Sequence, residues 1–239
     1  MVLSKYIFRR AALLGFVFAV LLGAACSSES GATRREGDPD RPLVVPEAAV
    51  SRPKIVALGD SLTAGFGLAE TESYPYLLQQ RLDAEGYNYE VINAGVSGDT
   101  SLGGFERAEW VLEQEGIEIL VLELGANDLL RGMPVGSMKR NLAGIIEMAR
   151  SRGVKVLLCG MIAPPSMGAE YANANRNAFA DLAEEYDTAF IPFLLENVAL
   201  DRALNQADGI HPNAEGTRIM TENIYRELKP MLEEARGGN

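Results

Sequence analysis

The sequence predicts an α/β protein, a three-layer α/β/α sandwich around a five-stranded parallel sheet. Three observations predict it. Short apolar, β-branched runs alternate with helix-period segments from Lys54 onward, which is the signature of βαβ units. One run, Ile117 to Leu124, is nearly continuous in apolar residues, as a strand covered on both faces must be. The residues able to carry chemistry fall just after these runs, where open parallel sheets collect reactive groups.

Each element follows from its local pattern. Lys54-Ile55-Val56-Ala57-Leu58 reads as a short buried strand. Tyr76-Leu77-Leu78 with Leu82 forms a helical apolar stripe that stops at Gly86. Tyr89 to Asn93 is the second strand, Phe105 to Gln114 a helix ending at Gly116, and Ile117 to Leu124 the third strand. Met138 to Arg152 is strongly periodic and ends at Gly153, with Val154 to Cys159 as the fourth strand. Asn173 to Tyr186 is helical, and Ala189-Phe190-Ile191 is a brief fifth strand closed by Pro192. Ala214 to Arg236 supplies the last helix, which Pro230 is expected to bend or end.

The chain before Lys54 does not read as part of this domain. Lys5, Arg9 and Arg10 precede an apolar stretch from Ala11 to Leu22, followed by small residues and an abruptly polar segment. That is the pattern of an export signal over residues 1–25, too short for a spanning helix. Cys26, just after Gly23-Ala24-Ala25, resembles the lipid-attachment site of bacterial lipoproteins, with Leu22 one position further upstream than such sites place it. Plain cleavage after Ala25 is the alternative. Residues 26–53 are rich in Ser, Gly, Pro and charge, and a coil of that length spans roughly 30 Å root-mean-square. They read as a tether from the cell envelope to a domain over 54–239. If Cys26 carries lipid, Cys159 has no disulfide partner, and its apolar run marks it as a buried, inert thiol.

A formal net charge of −11 without Lys/Arg clusters argues against a nucleic-acid partner. No Gly-x-x-x-x-Gly-Lys phosphate loop occurs, and a single histidine with no Cys pair leaves little for a zinc site. Neither a cofactor nor a metal is expected. Gly59-Asp60-Ser61-Leu62-Thr63 lacks the second glycine of an α/β-hydrolase elbow.

What remains is a dispersed set of polar residues. Ser61 follows the first strand through a glycine turn, and its bland reading is a helix N-cap. Asp60 fits a capping hydrogen-bonder better than a catalyst. Gly95 lies in the turn Asn93 to Thr100, where the lack of Cβ lets its N–H approach a ligand closely. Asn127, in Gly125-Ala126-Asn127-Asp128, is an oxyanion-donor candidate or a turn former. His211 is the only histidine, three residues after Asp208, so a carboxylate can hold one imidazole nitrogen while the other faces a hydroxyl. Any serine hydrolysis here must pass through His211.

Taken in order, Gly-Asp-Ser-Leu at 59–62, the isolated Gly95, Gly-Ala-Asn-Asp at 125–128 and Asp-Gly-Ile-His at 208–211 closely resemble the SGNH (GDSL) hydrolases. The resemblance extends from about Lys54 to Glu233, and is strongest to the exported lysophospholipase, arylesterase and acyl-thioesterase branch. It implies a flavodoxin-like fold and acyl-ester hydrolysis through an acyl-enzyme. Ser61 would be the nucleophile, His211 the base and Asp208 its orienting carboxylate. The Ser61 N–H, the Gly95 N–H and the Asn127 amide would form the oxyanion hole. Segments 131–134 and 163–168 would border the acyl site. Apolar Leu129, Met133, Val135, Met161 and Ile162 nearby argue for an acyl chain, with ordinary core as their other reading. The partner is then a small acyl ester, met by a monomer that touches the membrane only through its N-terminal anchor. An O-acetyl esterase of envelope polysaccharide and a non-catalytic binding module on the same scaffold are the rival readings.

Overall fold

The computed structural model describes residues 52–237. The export segment, Cys26 and the tether up to Ser51 lie outside the described residues. Five strands form one sheet in the order β2-β1-β3-β4-β5: β1 (Lys54–Gly59), β2 (Glu90–Gly95), β3 (Ile117–Glu123), β4 (Lys155–Cys159) and β5 (Ala189–Ile191). Every pairing is parallel. Helices α1 (Ser61–Ala64), α2 (Tyr74–Ala84), α3 (Ser101–Leu112), α4 (Ala126–Leu130), α5 (Val135–Ser151), α6 (Ala169–Glu185) and α7 (Ala214–Gly237) complete the chain. α2 packs with α7, while α3, α5 and α6 pack side by side.

The strands are driven inward by their own composition. In β3 the five residues Ile119 to Glu123 are all buried, and Val56, Ala57 and Leu58 of β1 are fully so. Each fully buried aliphatic side chain of this kind contributes about 1.5–3 kcal/mol against its exposed state. The outer layers add matching stripes. α7 buries Met220, Ile224, Leu228 and Leu232 at a spacing of four, and α5 buries Met138, Leu142, Ile145, Ile146 and Ala149.

Strand order decides where a site can form. From β1 the chain crosses to β2 on one side, then returns past β1 to β3 on the other. The carboxyl ends of β1 and β3 therefore flank the point where the winding reverses, which in open α/β sheets is where the binding crevice opens. Ser61 follows β1 and Asn127 follows β3.

The structure departs from the sequence reading in three places. Gly95 is not a loop residue, because β2 continues to it and it pairs with Gly59. A Cβ on Gly95 would lie 2.2 Å from the Ala64 backbone nitrogen, so glycine here lets β2 and α1 approach. Residues after β3 form the short helix α4 rather than a plain turn. Pro230 does not end α7, which runs on to Gly237. Leu228 before it and Leu232 after it are both fully buried, and that packing outweighs the one helical hydrogen bond proline removes.

Cys159 closes β4 with no exposure, and burial pushes its thiol well above the ordinary range. Native protein is therefore expected to be unreactive toward a thiol-directed disulfide reagent at this position, with full reaction after denaturation. Rapid labelling of Cys159 in the folded state would contradict the packing described.

Candidate active site

Ser61 owes its position to a cap. Asp60 is the N-cap of α1, its Oδ1 accepting the Leu62 N–H at 3.1 Å. This fixes the first turn, so that Ser61 stands at the helix start, where a backbone N–H has no intrahelical acceptor. The hydroxyl lies 2.9 Å from Nε2 of His211, across 150 residues of sequence. Its 3.5 Å approach to Asp60 Oδ1 is the weaker contact.

His211 is held from three sides. Nδ1 lies 2.7 Å from Asp208 Oδ2, so the carboxylate accepts the Nδ1 proton and leaves the Nε2 lone pair toward Ser61. Asp208 Oδ1 also accepts the backbone N–H groups of Ile210 and His211 at 3.0 and 3.1 Å. The Phe66 ring packs against the imidazole with centroids 4.7 Å apart. The turn is braced by Gln206, whose N–H donates to the His211 carbonyl at 2.8 Å. The hydrogen bond from His211, supported by the two backbone N–H groups, lowers Asp208 to about 2.

Asn127 sits in α4 with its Nδ2 donating to Asp60 Oδ2 at 2.9 Å. One N–H is thus committed to Asp60 and the other is free to meet a ligand. Asp60 is fully buried, as is Glu123 at the end of β3. Glu123 Oε2 accepts from the Asp60 N–H at 3.2 Å and from the Thr63 hydroxyl at 2.8 Å. Burial raises both carboxyls, and the charge of Asp60 raises Glu123 further.

Two strand ends are tied together by one side chain. Arg107 of α3 donates to the Ala94 carbonyl at 2.7 Å and to the Gly59 carbonyl at 2.9 Å, and pairs with Asp99 at 2.7 Å. The carbonyls immediately before Asp60 and Gly95 are therefore clamped by a single guanidinium, in charge-assisted bonds.

Ser61, Asn127 and His211 open onto a cleft of about 380 Å³, walled by Leu129, Leu130, Met161, Ile162, Phe193 and Leu200 among others. Leu129, Met161 and Ile162 therefore line it as expected. Met133 and Val135 do not. The Met133 carbonyl accepts from the Tyr171 hydroxyl at 2.8 Å, and Val135 opens α5 against the core. Of the two segments expected to border the cleft, 131–134 contributes nothing and 163–168 contributes Ala163 and Pro164. Phe193, Leu195, Ala199 and Leu200 escaped the sequence reading, because the stretch after β5 has no periodicity to flag its apolar residues.

Four expected site residues, Ser61, Asn127, Asp208 and His211, meet at one rim. Gly95 does not line the cleft, and its N–H donates to Asn93 Oδ1 at 2.9 Å. Glu123 and Arg107 were also missed. A lone acid at the end of an apolar run was the only signal for Glu123; nothing marked Arg107, whose two carbonyl partners lie on other elements.

Residues 57–219 match the family model described as GDSL-like Lipase/Acylhydrolase. Among curated relatives, the esterase TesA of Pseudomonas aeruginosa is 42% identical over 178 residues, covering 74% of this chain and 89% of the relative. The thioesterase 1/protease 1/lysophospholipase L1 of Escherichia coli is 31% identical, covering 77% of this chain and 87% of that protein. The crystal structure of the psychrotrophic esterase EstA from Pseudoalteromonas sp., inhibited by monoethylphosphonate, superposes with a TM-score of 0.72 at 33% identity, over 75% of this chain and 98% of that one. The chain belongs to the GDSL-like lipase/acylhydrolase family and is a serine ester hydrolase.

The Asp208–His211 contact has a testable pH signature. A carboxyl held below its unfolded value stabilises the fold above that value, near 3.9, and the contribution is lost as pH falls through the folded one. Asp208 is lowered to about 2, so the stability gap between wild type and Asp208→Asn should be constant above about pH 5 and shrink between about pH 4 and pH 2. Thermal melts of the two proteins across that range provide the check; a gap independent of pH would refute the pairing.

Proposed function

We propose that the chain hydrolyses carboxylic esters with an apolar acyl part, Ser61 acting as nucleophile, His211 as base and then acid, and Asp208 as the carboxylate that orients and stabilises the imidazole. The observation that carries this reading is the 2.9 Å approach of Ser61 Oγ to His211 Nε2 at the mouth of an apolar cleft. His211 takes the hydroxyl proton as Ser61 attacks the acyl carbonyl, then returns it to the departing alcohol. Water attacks the acyl-enzyme by the same route, and the acid is released.

The negative oxygen formed at each attack needs donors already in place. The Ser61 N–H and the free N–H of Asn127 supply two. Gly95, named as a third by the family resemblance, spends its N–H on Asn93 here, so its use requires that side chain to give way. The cleft favours acyl chains over sugar-borne acetyl groups, because Leu129, Leu130, Met161 and Ile162 present no hydrogen-bonding side chain to a sugar. Lysophospholipids and aryl or short-to-medium acyl esters fit such a wall. The thioesterase and lysophospholipase names of the Escherichia coli relative favour the same substrate range, thioesters included.

Export and anchoring belong to the same proposal and rest on the sequence alone: residues 1–25 as signal, Cys26 as the acylated residue, 26–53 as tether and 54–239 as the catalytic domain. The enzyme then works as a monomer on the envelope side of the membrane.

Ser61→Ala should remove nearly all turnover of p-nitrophenyl esters, and a serine-directed phosphonate should label wild type at Ser61. Asn127→Ala should lower kcat by about 10²–10³, the usual effect of losing one oxyanion donor. An Asn127→Ala enzyme with undiminished kcat would remove that residue from the mechanism, and labelling at any other serine would remove Ser61. For the anchor, mass spectrometry of the mature N-terminus should find an acylated Cys26; a free thiol there would leave only the signal peptide.

A further inference from the structure

No residue of helix α3 lines the cleft, yet α3 is bonded to all three segments that bring donors to it. At its start, Ser101 gives its backbone N–H to Asp128 Oδ2 and its hydroxyl to Asp128 Oδ1, both at 2.7 Å. Asp128 is buried and directly follows Asn127 in α4. Asn141 of α5 donates to the same serine hydroxyl at 2.9 Å. The start of α3 is thereby fixed to the segment that carries Asn127. Further along, Arg107 directs all three of its nitrogens at acceptors. Nη1 donates to the Ala94 carbonyl at 2.7 Å, Nη2 to the Gly59 carbonyl at 2.9 Å and Nε to Asp99 Oδ2 at 2.7 Å.

Each of these carbonyls shares a planar peptide unit with an N–H that belongs to the site. The Gly59 carbonyl is joined to the Asp60 N–H, which donates to Glu123 Oε2 at 3.2 Å. That plane is held on both sides, so the direction in which Asp60 leaves β1 is set. Asp60 in turn accepts the Leu62 N–H on Oδ1 and the Asn127 amide on Oδ2. The Ala94 carbonyl is joined to the Gly95 N–H, the donor that the family resemblance adds to Ser61 and Asn127. One guanidinium therefore orients the peptide planes on which every candidate oxyanion donor depends.

We propose that Arg107 is a positioning residue for ester hydrolysis, holding the Gly59–Asp60 and Ala94–Gly95 peptides together so that the oxyanion donors stand in place before the negative oxygen forms. The inference rests on the hydrolase reading. Its chemistry asks for arginine in particular. Asp99 balances the charge, and the two side chains are only 20% and 17% exposed, so what the guanidinium supplies is direction. Its planar fork meets two carbonyls on adjacent strands and a carboxylate at once, whereas a lysine ammonium donates from a single point. Donors displaced by a fraction of an ångström still bind substrate but no longer meet the transition state.

Arg107→Lys should therefore lower kcat for p-nitrophenyl esters by about 10- to 100-fold while KM stays nearly unchanged. In Arg107→Ala, millimolar guanidinium should restore part of the lost kcat in a saturable way and leave wild type unaffected. Combined with Asn127→Ala, the lysine substitution should cost less than its own separate factor, because both act through the same donors. An Arg107→Lys enzyme with undiminished kcat overturns the proposal. So does a double variant whose losses multiply in full, which is the behaviour of a residue that serves stability alone. Should the Ala variant fail to fold, the Lys variant and the cycle with Asn127 still decide. Phosphonate labelling keeps the two readings apart. Wild type that neither labels nor turns over esters defeats the hydrolase reading and this proposal with it; wild type that does both, beside an equally fast Arg107→Lys, defeats this proposal alone.

Discussion

The site depends on how the ends of β1, β2 and β3 are held against one another. Ser61 and Asn127 come from different strands, and their approach requires the Gly59 and Glu123 termini to stay in register, as their pairing shows. Local bonds reinforce what the sheet begins. Gly59 O accepts from Val96 N and from Arg107, so β1, β2 and α3 meet at one carbonyl. Charge-assisted bonds of this kind are short and directional, and they act where the sheet ladder itself has run out. Shift any one strand, and the hydroxyl, the amide and the imidazole no longer share a rim.

Around this frame the polar groups form two linked sets with opposite environments. Asp208 is partly open to solvent and held low by hydrogen bonds, so it stays charged and serves the imidazole. Asp60 and Glu123 are closed off from water, where charge is costly and burial raises both carboxyls. The same chemical group does different work on the two sides of Ser61. Burial and hydrogen-bond partners make that difference, with no change of residue type beyond one methylene.

The apolar wall of the cleft is assembled in a third way. It draws on α4, on the loop after β4 and on the irregular chain between β5 and α7. Leu200 is 89% exposed and sits in the left-handed backbone region at φ 68°. Such a conformation costs a non-glycine residue energy, and here it occurs on the wall of the substrate cleft. The rigid sheet supplies the reacting groups, and less regular segments supply the surface that meets the acyl chain.

Sequence alone carried the fold far. Alternation of β-branched runs with helical stripes made a parallel sheet compulsory, because apolar strands such as Ile119 to Leu122 need cover on both faces. Ordered motifs named Ser61, Asn127, Asp208 and His211, since each is a polar residue at a strand end or a fixed turn. Tertiary structure decided what periodicity cannot encode. It ended β2 at Gly95 rather than before it, carried α7 through Pro230, and replaced Met133 and Val135 in the cleft with Phe193, Leu195 and Leu200. It also revealed Arg107 and Glu123, whose significance lies wholly in partners from other elements. A pattern along the chain reports which face of an element is buried; which atoms meet across that burial is fixed only when the layers pack.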